Sequence, residues 1–161
     1  MKISIMSDAH DNWDTLSEAV SKSNEIGCEY LLFAGDLMSK DGLYIISKFN
    51  GTVYFTKGNN DKFLTNDFYY SNKINFYSEY FDGNLNKVRV FMSHYPEESK
   101  RRALTDNHDL CVYGHTHIIY QKNINRTVLV NPGEIYGERT SKKSFMIYNA
   151  ETKEVNPIYI S

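Results

Sequence analysis

Apolar positions in this chain fall first into short strand-like runs separated by helical spacing, and later into strand-like runs alone. Ile3-Ser4-Ile5-Met6-Ser7, Tyr30-Leu31-Leu32-Phe33-Ala34 and Thr52-Val53-Tyr54-Phe55-Thr56 are rich in β-branched and aromatic residues, which favour extended backbone. Between the first two, Leu16, Ala19, Val20 and Ile26 keep helical spacing, with Asp14 or Thr15 placed to cap that helix and Gly27 to end it. Leu43, Ile46 and Phe49 predict a second short helix over 41–49. Strand, helix, strand, helix, strand predicts parallel pairing through right-handed crossovers. Residues 74–81 then alternate imperfectly, Asp82-Gly83 is a turn signal, and 88–92 answers as the partner strand of a hairpin. A short helix is expected over 97–104, a strand over 110–113, and antiparallel strands at 118–122, 127–131, 144–149 and 154–160. The simplest burial of these patterns is an α/β fold of two packed sheets with helices on the outer faces.

A chain of 161 residues fits one domain, 1–161, which would bury roughly 70 % of its unfolded surface without needing a disulfide or structural metal. Thirteen Tyr and nine Phe favour a sheet-rich fold. The formal charge of −2 argues against nucleic acid as a partner, since nonspecific binding there needs many Lys and Arg contacts to phosphates. Lys100-Arg101-Arg102 is short and reads as a solvated helix face. Cys28 and Cys111 lie far apart and read as reduced packing residues. Met1-Lys2 leads straight into the first strand and no apolar stretch approaches the roughly 20 residues that span a bilayer, so a cytoplasmic protein without membrane contact is expected.

Five of the strand-like runs stop on side chains that bind metals. The ends carry Asp8 and His10, then Asp36, then Asn59-Asn60-Asp61, then His94, then His115 and His117. Open α/β sheets bind ligands beyond the carboxyl ends of their strands, so these groups should converge on one crevice. Asp8 and His10, one residue apart, would share a face of an extended strand, and His115 and His117 repeat that spacing after Gly114. Singly, each has a plainer reading. Asp36 and Asn59 follow glycine as turn residues do, and a lone His94 is ordinarily a satisfied imidazole.

Together, Asp8-x-His10, Gly35-Asp36, Gly58-Asn59-x-Asp61, His94 and Gly114-His115-x-His117 resemble the calcineurin-like metallophosphoesterases. Size, the hairpin before His94 and Asn131-Pro132-Gly133 are most similar to the small bacterial and archaeal phosphodiesterases of that superfamily. The resemblance spans residues 3 to about 149. It implies a four-layer αββα sandwich with a dinuclear site. Asp8, His10 and His117 would hold the first metal, Asn59, His94 and His115 the second, and Asp36 would bridge them. It further implies a phosphodiesterase or phosphatase cleaving a small phosphate ester or nucleotide-like diester by in-line attack of a hydroxide shared by two divalent ions. Imidazole, carboxylate and amide donors without thiolate suit Mn²⁺ first, and also Fe, Ni²⁺ or Zn²⁺.

The chain departs from the family pattern at two positions. Asn60 stands where relatives carry a His that can protonate the leaving group; an amide can hydrogen-bond a phosphate oxygen but cannot act as an acid near neutral pH. Tyr95 follows His94 where relatives have a glycine and a second imidazole; it can serve as a phenolic donor, a base-stacking platform or a packing aromatic. Asn60 and Asp61 are the candidate catalytic residues, with Asp61 placed to orient Asn60 or to cap the next segment, and Glu134 puts a carboxylate where relatives often carry Ser. His108 reads as a surface loop residue, and Trp13 as a hydrophobic staple or a crevice wall. Phe63, Phe68, Tyr69, Tyr70, Phe76, Tyr77, Tyr80 and Phe81 would form hairpin and core packing, a homo-oligomer interface or a substrate cap. Two other functions stay open on the same fold: an interaction scaffold similar to a retromer subunit, and a nuclease using the same two ions.

Overall fold

The structure, a computed structural model, describes residues 1–65 and 69–161. The chain runs β1 (Lys2–Met6), α1 (Trp13–Ile26), β2 (Tyr30–Phe33), α2 (Lys40–Ile46), β3 (Thr52–Thr56), β4 (Ile74–Tyr77), β5 (Tyr80–Leu85), β6 (Val88–Ser93), α3 (Pro96–Ala103), β7 (Leu110–Val112), β8 (Tyr120–Ile124), β9 (Thr127–Asn131), β10 (Lys143–Asn149) and β11 (Val155–Ile160). One sheet has the order β11-β10-β1-β2-β3-β4 and the other β5-β6-β7-β9-β8. Strands β1 to β3 pair in parallel, as the alternation of strand and helix patterns predicts, and β4 joins beside β3 in the same direction. The chain returns late to extend that sheet with antiparallel β10 and β11.

The period of two along β1 shows how the layers form. Ile3 and Ile5 enter the apolar layer between the sheets, with Leu32, Val90, Val112 and Val130. Met6 faces the other way, into the layer beneath α1 and α2, with Leu16, Phe33 and Phe55. Ser4, also on that side, meets the Ser23 hydroxyl of α1 at 2.8 Å, so this buried polar pair is satisfied. A third cluster, Phe91, Cys111, Tyr113 and Leu129, is covered by Ala103 of α3. Helix, sheet, sheet and helix therefore stack as expected. Burial pushes the Cys28 thiol up to about 11 and the Cys111 thiol up to about 12, which keeps both inert.

Several local expectations are corrected. Residues 74–81 do not form one strand: β4 adds to the first sheet beside β3, and β5 starts the second sheet. Asp82-Gly83 lies inside β5, and the hairpin turns instead at Asn86-Lys87, where Leu85 faces Val88 and Asn86 takes φ 53°. Helix α1 is capped by Asn12, whose side chain accepts from the Thr15 amide at 3.3 Å. Trp13 is thus the first helical residue, one place after the cap, and it packs on the layer beneath the helices rather than acting as a staple. Helix α2 ends before Phe49, and β8 starts two residues later than expected.

His108 is buried, not a surface loop residue: its Nε2 lies 3.1 Å from Asp82 Oδ1 and its ring packs edge-on to Phe91. Most of the aromatic segment is packing. Phe76 meets Phe55, and Tyr77 and Phe81 meet Tyr54, while Tyr69, Tyr70 and Tyr80 are exposed, the last stacking one face on Phe91. Phe68 lies outside the described residues. Among those described, no helix is long and apolar enough to cross a membrane.

Candidate metal centre

The loops leaving β1, β2, β3, β6 and β7 meet at one end of the two sheets and bring all seven candidate ligands together. His117 Nε2 stands 3.4 Å from His10 Nε2 and 3.5 Å from Asp8 Oδ1. Asn59 Oδ1 stands 3.0 Å from His94 Nε2 and 3.1 Å from His115 Nδ1. Asp36 Oδ2 lies between the two sets, 3.9 Å from His10 Nε2 and 3.6 Å from His94 Nε2. Ligand atoms of Asp8, His10 and His117 fall within 4.8 Å of one another, and so do those of Asp8, Asp36 and His94. Asp8 is common to both groups, so it sits nearer the second set than its place in the chain implies.

The backbone that achieves this is strained. Asp8 (φ 53°), His10 (48°), Asp36 (61°), His115 (64°) and His117 (63°) all occupy the left-handed region, which costs a non-glycine residue about 1–3 kcal/mol. Asp8 and His10 are therefore not strand residues sharing a pleat face, although their side chains still converge. Loop-to-loop hydrogen bonds hold the turns: the Asp8 amide donates to Gly35 O at 3.0 Å and the His10 amide to Asp36 O at 3.0 Å. Two glycines allow the loops to touch. A Cβ at Gly58 would lie 2.2 Å from Asp36 Oδ1, and one at Gly114 would lie 1.9 Å from Ser7 Oγ.

Asp61 is the main strut under this arrangement. Its carboxylate is buried and accepts four backbone N–H groups: Asp36 at 2.9 Å and Gly58 at 2.7 Å on Oδ2, Leu37 at 2.7 Å and Met38 at 2.8 Å on Oδ1. Burial raises its pKa against the pull of those donors. Both oxygens accept from the backbone, so the expected roles of orienting Asn60 or capping the next segment give way to holding the Asp36 loop. Asn60 binds Asp36 directly, its amide nitrogen donating to Oδ2 at 2.8 Å and its backbone N–H to Oδ1 at 2.8 Å. Tyr95 is half exposed and sets its ring edge-on to His94 and His115, with centroids 5.2 and 4.8 Å away.

Whether these groups suit a cation can be decided from their protons. His94 Nδ1 lies 2.7 Å from the Ala34 carbonyl, which only accepts, so that nitrogen carries the hydrogen. Burial lowers the His94 pKa and favours the neutral ring, which leaves a lone pair on Nε2 beside the Asn59 amide at 3.0 Å. His117 is oriented in a similar way. Its Nδ1 lies 2.6 Å from Glu134 Oε2, which turns Nε2 towards Asp8 Oδ1, a fully buried oxygen with no hydrogen-bond partner. Burial raises the Asp8 pKa well above the usual carboxylate range, with the Asp36 charge adding to the rise. Imidazole nitrogens, carboxylate oxygens and an amide crowded together in buried space, with Asp8 Oδ1 unpartnered, would be relieved by a cation, so the donor set fits divalent metal.

Sequence reasoning left Glu134 without a role and did not single out Tyr136. Tyr136 lies 4.9 Å, centroid to centroid, from the His10 ring, and its backbone N–H donates to Asp8 O at 3.0 Å. The residues after Asn131-Pro132-Gly133 were the available signal, since a turn near the ligands must deliver its next side chains to them.

A fold of two mixed sheets in an αββα stack, with seven N and O donors gathered at the strand ends, is that of a metal-dependent phosphoesterase. Residues 1–153 match the calcineurin-like phosphoesterase superfamily domain, and the chain belongs to that superfamily. It is 28 % identical over 171 residues to phosphodiesterase MJ0936 of Methanocaldococcus jannaschii, covering 99 % of each chain. In structure it is similar to a novel archaeal phosphodiesterase, with TM-score 0.85, 24 % identity and 99 % and 100 % of the two chains covered. It is also similar in fold to vacuolar protein sorting 29 of Cryptosporidium parvum, with TM-score 0.71, 17 % identity and 99 % and 96 % covered.

Proposed function

We propose that the chain, as a single domain over 1–161, is a dinuclear metal-dependent phosphodiesterase acting on a small phosphate ester or nucleotide-like diester. Asp8, His10 and His117 hold one divalent ion, Asn59, His94 and His115 the other, and Asp36 lies between them. The observation that carries this reading is the convergence of buried ligand atoms, those of Asp8, His10 and His117 and those of Asp8, Asp36 and His94 each lying within 4.8 Å of one another. The nitrogen and oxygen donors favour Mn²⁺, with Fe, Ni²⁺ and Zn²⁺ as competitors. Bound there, two divalent ions would supply a nucleophile at neutral pH and offset the charge that develops on the phosphoryl oxygens. Asn60 steadies Asp36 and hydrogen-bonds rather than protonates, so the leaving group must be acidic or take its proton from water. Tyr95 stands at the second set, where its ring and hydroxyl can meet the ester group of the substrate. Buried, inert cysteines fit a reducing, cytoplasmic setting, and exposed Tyr69 and Tyr70 are what the aromatic segment offers for contact between copies.

The test is metal analysis of protein purified without chelator, followed by a panel of phosphomonoesters and diesters with each metal. Up to two ions per chain are expected, and Asp36→Asn should weaken both. The likeness to vacuolar protein sorting 29 keeps a scaffold reading in view. A scaffold would keep its partner surface whatever the crevice holds, so turnover decides. Wild-type protein that hydrolyses no phosphoester with any metal would overturn the phosphodiesterase reading.

A further inference from the structure

Glu134 is fully buried and both oxygens of its carboxylate accept hydrogen bonds. Oε2 takes the His117 Nδ1 hydrogen at 2.6 Å, while Oε1 accepts the Arg139 amide at 3.1 Å, the Thr140 amide at 2.7 Å and the Thr140 hydroxyl at 2.8 Å. Its backbone is held as firmly: the Ser144 amide donates to Glu134 O at 2.8 Å and the next amide, of Ile135, donates to Ser7 O at 3.1 Å. Burial works to raise the Glu134 pKa, but the His117 ring and the Thr140 donors outweigh it and hold the carboxyl below its ordinary range.

We infer that Glu134 is the positioning residue for the first metal set, and that it ties the orientation of His117 to the loop 135–140. The inference rests on the dinuclear reading above. A carboxylate on Nδ1 fixes the tautomer, leaves Nε2 bare, and strengthens the ring as a ligand. The two imidazoles of that set lie nearly parallel, 5.2 Å between centroids with 15° between planes, so a modest rotation of His117 would turn Nε2 away from both Asp8 and His10. The same loop also carries Tyr136, whose ring packs on His10, and Asn12 anchors it by donating to Tyr136 O at 2.8 Å. Both imidazoles of the first set thus lean on one segment. The second set is built differently: His94 Nδ1 is fixed by a main-chain carbonyl, which no side-chain replacement removes. Changes in 134–140 should therefore act on one metal and spare the other.

Glu134→Gln is the informative variant. An amide presents one acceptor and one donor. Three loop donors outnumber the single ring hydrogen, so the glutamine oxygen turns to the loop and its NH₂ faces His117 Nδ1. Nδ1 must then accept, and the hydrogen moves to Nε2, where it blocks ligation. Stepwise metal affinities measured by chelator competition should show the first-set step, identified as the one His10→Ala abolishes, weakened about 10–100-fold in Glu134→Gln. The second step should stay within a few-fold. Nitrogen chemical shifts of His117 in metal-free wild type should report the Nδ1–H tautomer, a measurement that needs no variant. Wild type binding two ions with Glu134→Gln equal to it, or a metal-free wild-type His117 protonated on Nε2 with Nδ1 bare, would overturn the inference while leaving the dinuclear reading intact. Wild type that binds no metal would remove both.

Discussion

Replacing Asp61 by Asn tests how the crevice is held. The two oxygens of Asp61 each accept two backbone N–H groups, Asp36 and Gly58 on one, Leu37 and Met38 on the other. Whichever way an asparagine turns, its NH₂ faces two of those donors, so two N–H groups lose their acceptor in a buried place. Each such loss costs about 1–3 kcal/mol, or about 2–6 kcal/mol for the pair. The neutral amide avoids the desolvation of a buried charge, which draws the value towards the lower end. Against a total stability of roughly 5–15 kcal/mol this is large, and for a chain of this size it corresponds to a fall in Tm of at least about 4 °C. The assay is urea unfolding of metal-free protein with matched m-values, supported by a thermal scan. The loop being released also carries Asp36 at φ 61°, so metal affinity should fall with stability. A change below about 0.5 kcal/mol would show that the four donors find acceptors elsewhere, and the strut reading of Asp61 would be wrong.

Three further expectations follow from other contacts. Gly114→Ala would place a Cβ 1.9 Å from Ser7 Oγ and 2.9 Å from Asp8 Oδ2, so a loss of about 1–3 kcal/mol in unfolding free energy and weaker first-set metal affinity are expected; unchanged values for both would contradict the packing described. Asn60 cannot act as an acid, so the enzyme should prefer aryl phosphodiesters to alkyl monoesters, and Asn60→His should narrow that gap; equal rates on the two classes in wild type would refute the account of this position. Glu98 is pulled down to about 2 by Arg101 and Arg102, below its ordinary 4.5, so its ion pairs contribute fully above about pH 4.5 and are lost as pH falls through 2. Because water screens the group, Glu98→Gln should reduce stability at pH 7 by no more than about 1 kcal/mol, and the difference from wild type should shrink steadily in acid unfolding below pH 4.5.

Residue order alone determined the strand and helix periods, the parallel pairing of β1, β2 and β3, and the identity of the groups at the strand ends, because periodicity and strand-end chemistry are local properties that each segment carries with it. Tertiary structure decided what pairs with what. The run 74–81 reads as one strand, yet Ile74 pairs with Val53 in one sheet and Tyr80 with Ser93 in the other, a division that depends on which sheet edge lies open. His108 sits among polar neighbours in the chain, but Asp82 and Phe91, distant in sequence, bury it. Asp61 and Glu134 were visible as carboxylates near the motifs, but their work is set by partners that only folding delivers: four amides of two other loops for one, an imidazole and a loop for the other. Side-chain type names which atoms can hold a metal, whereas the left-handed turns at Asp8, His10, Asp36, His115 and His117 that aim those atoms are held by contacts across the fold and leave no local trace in the sequence.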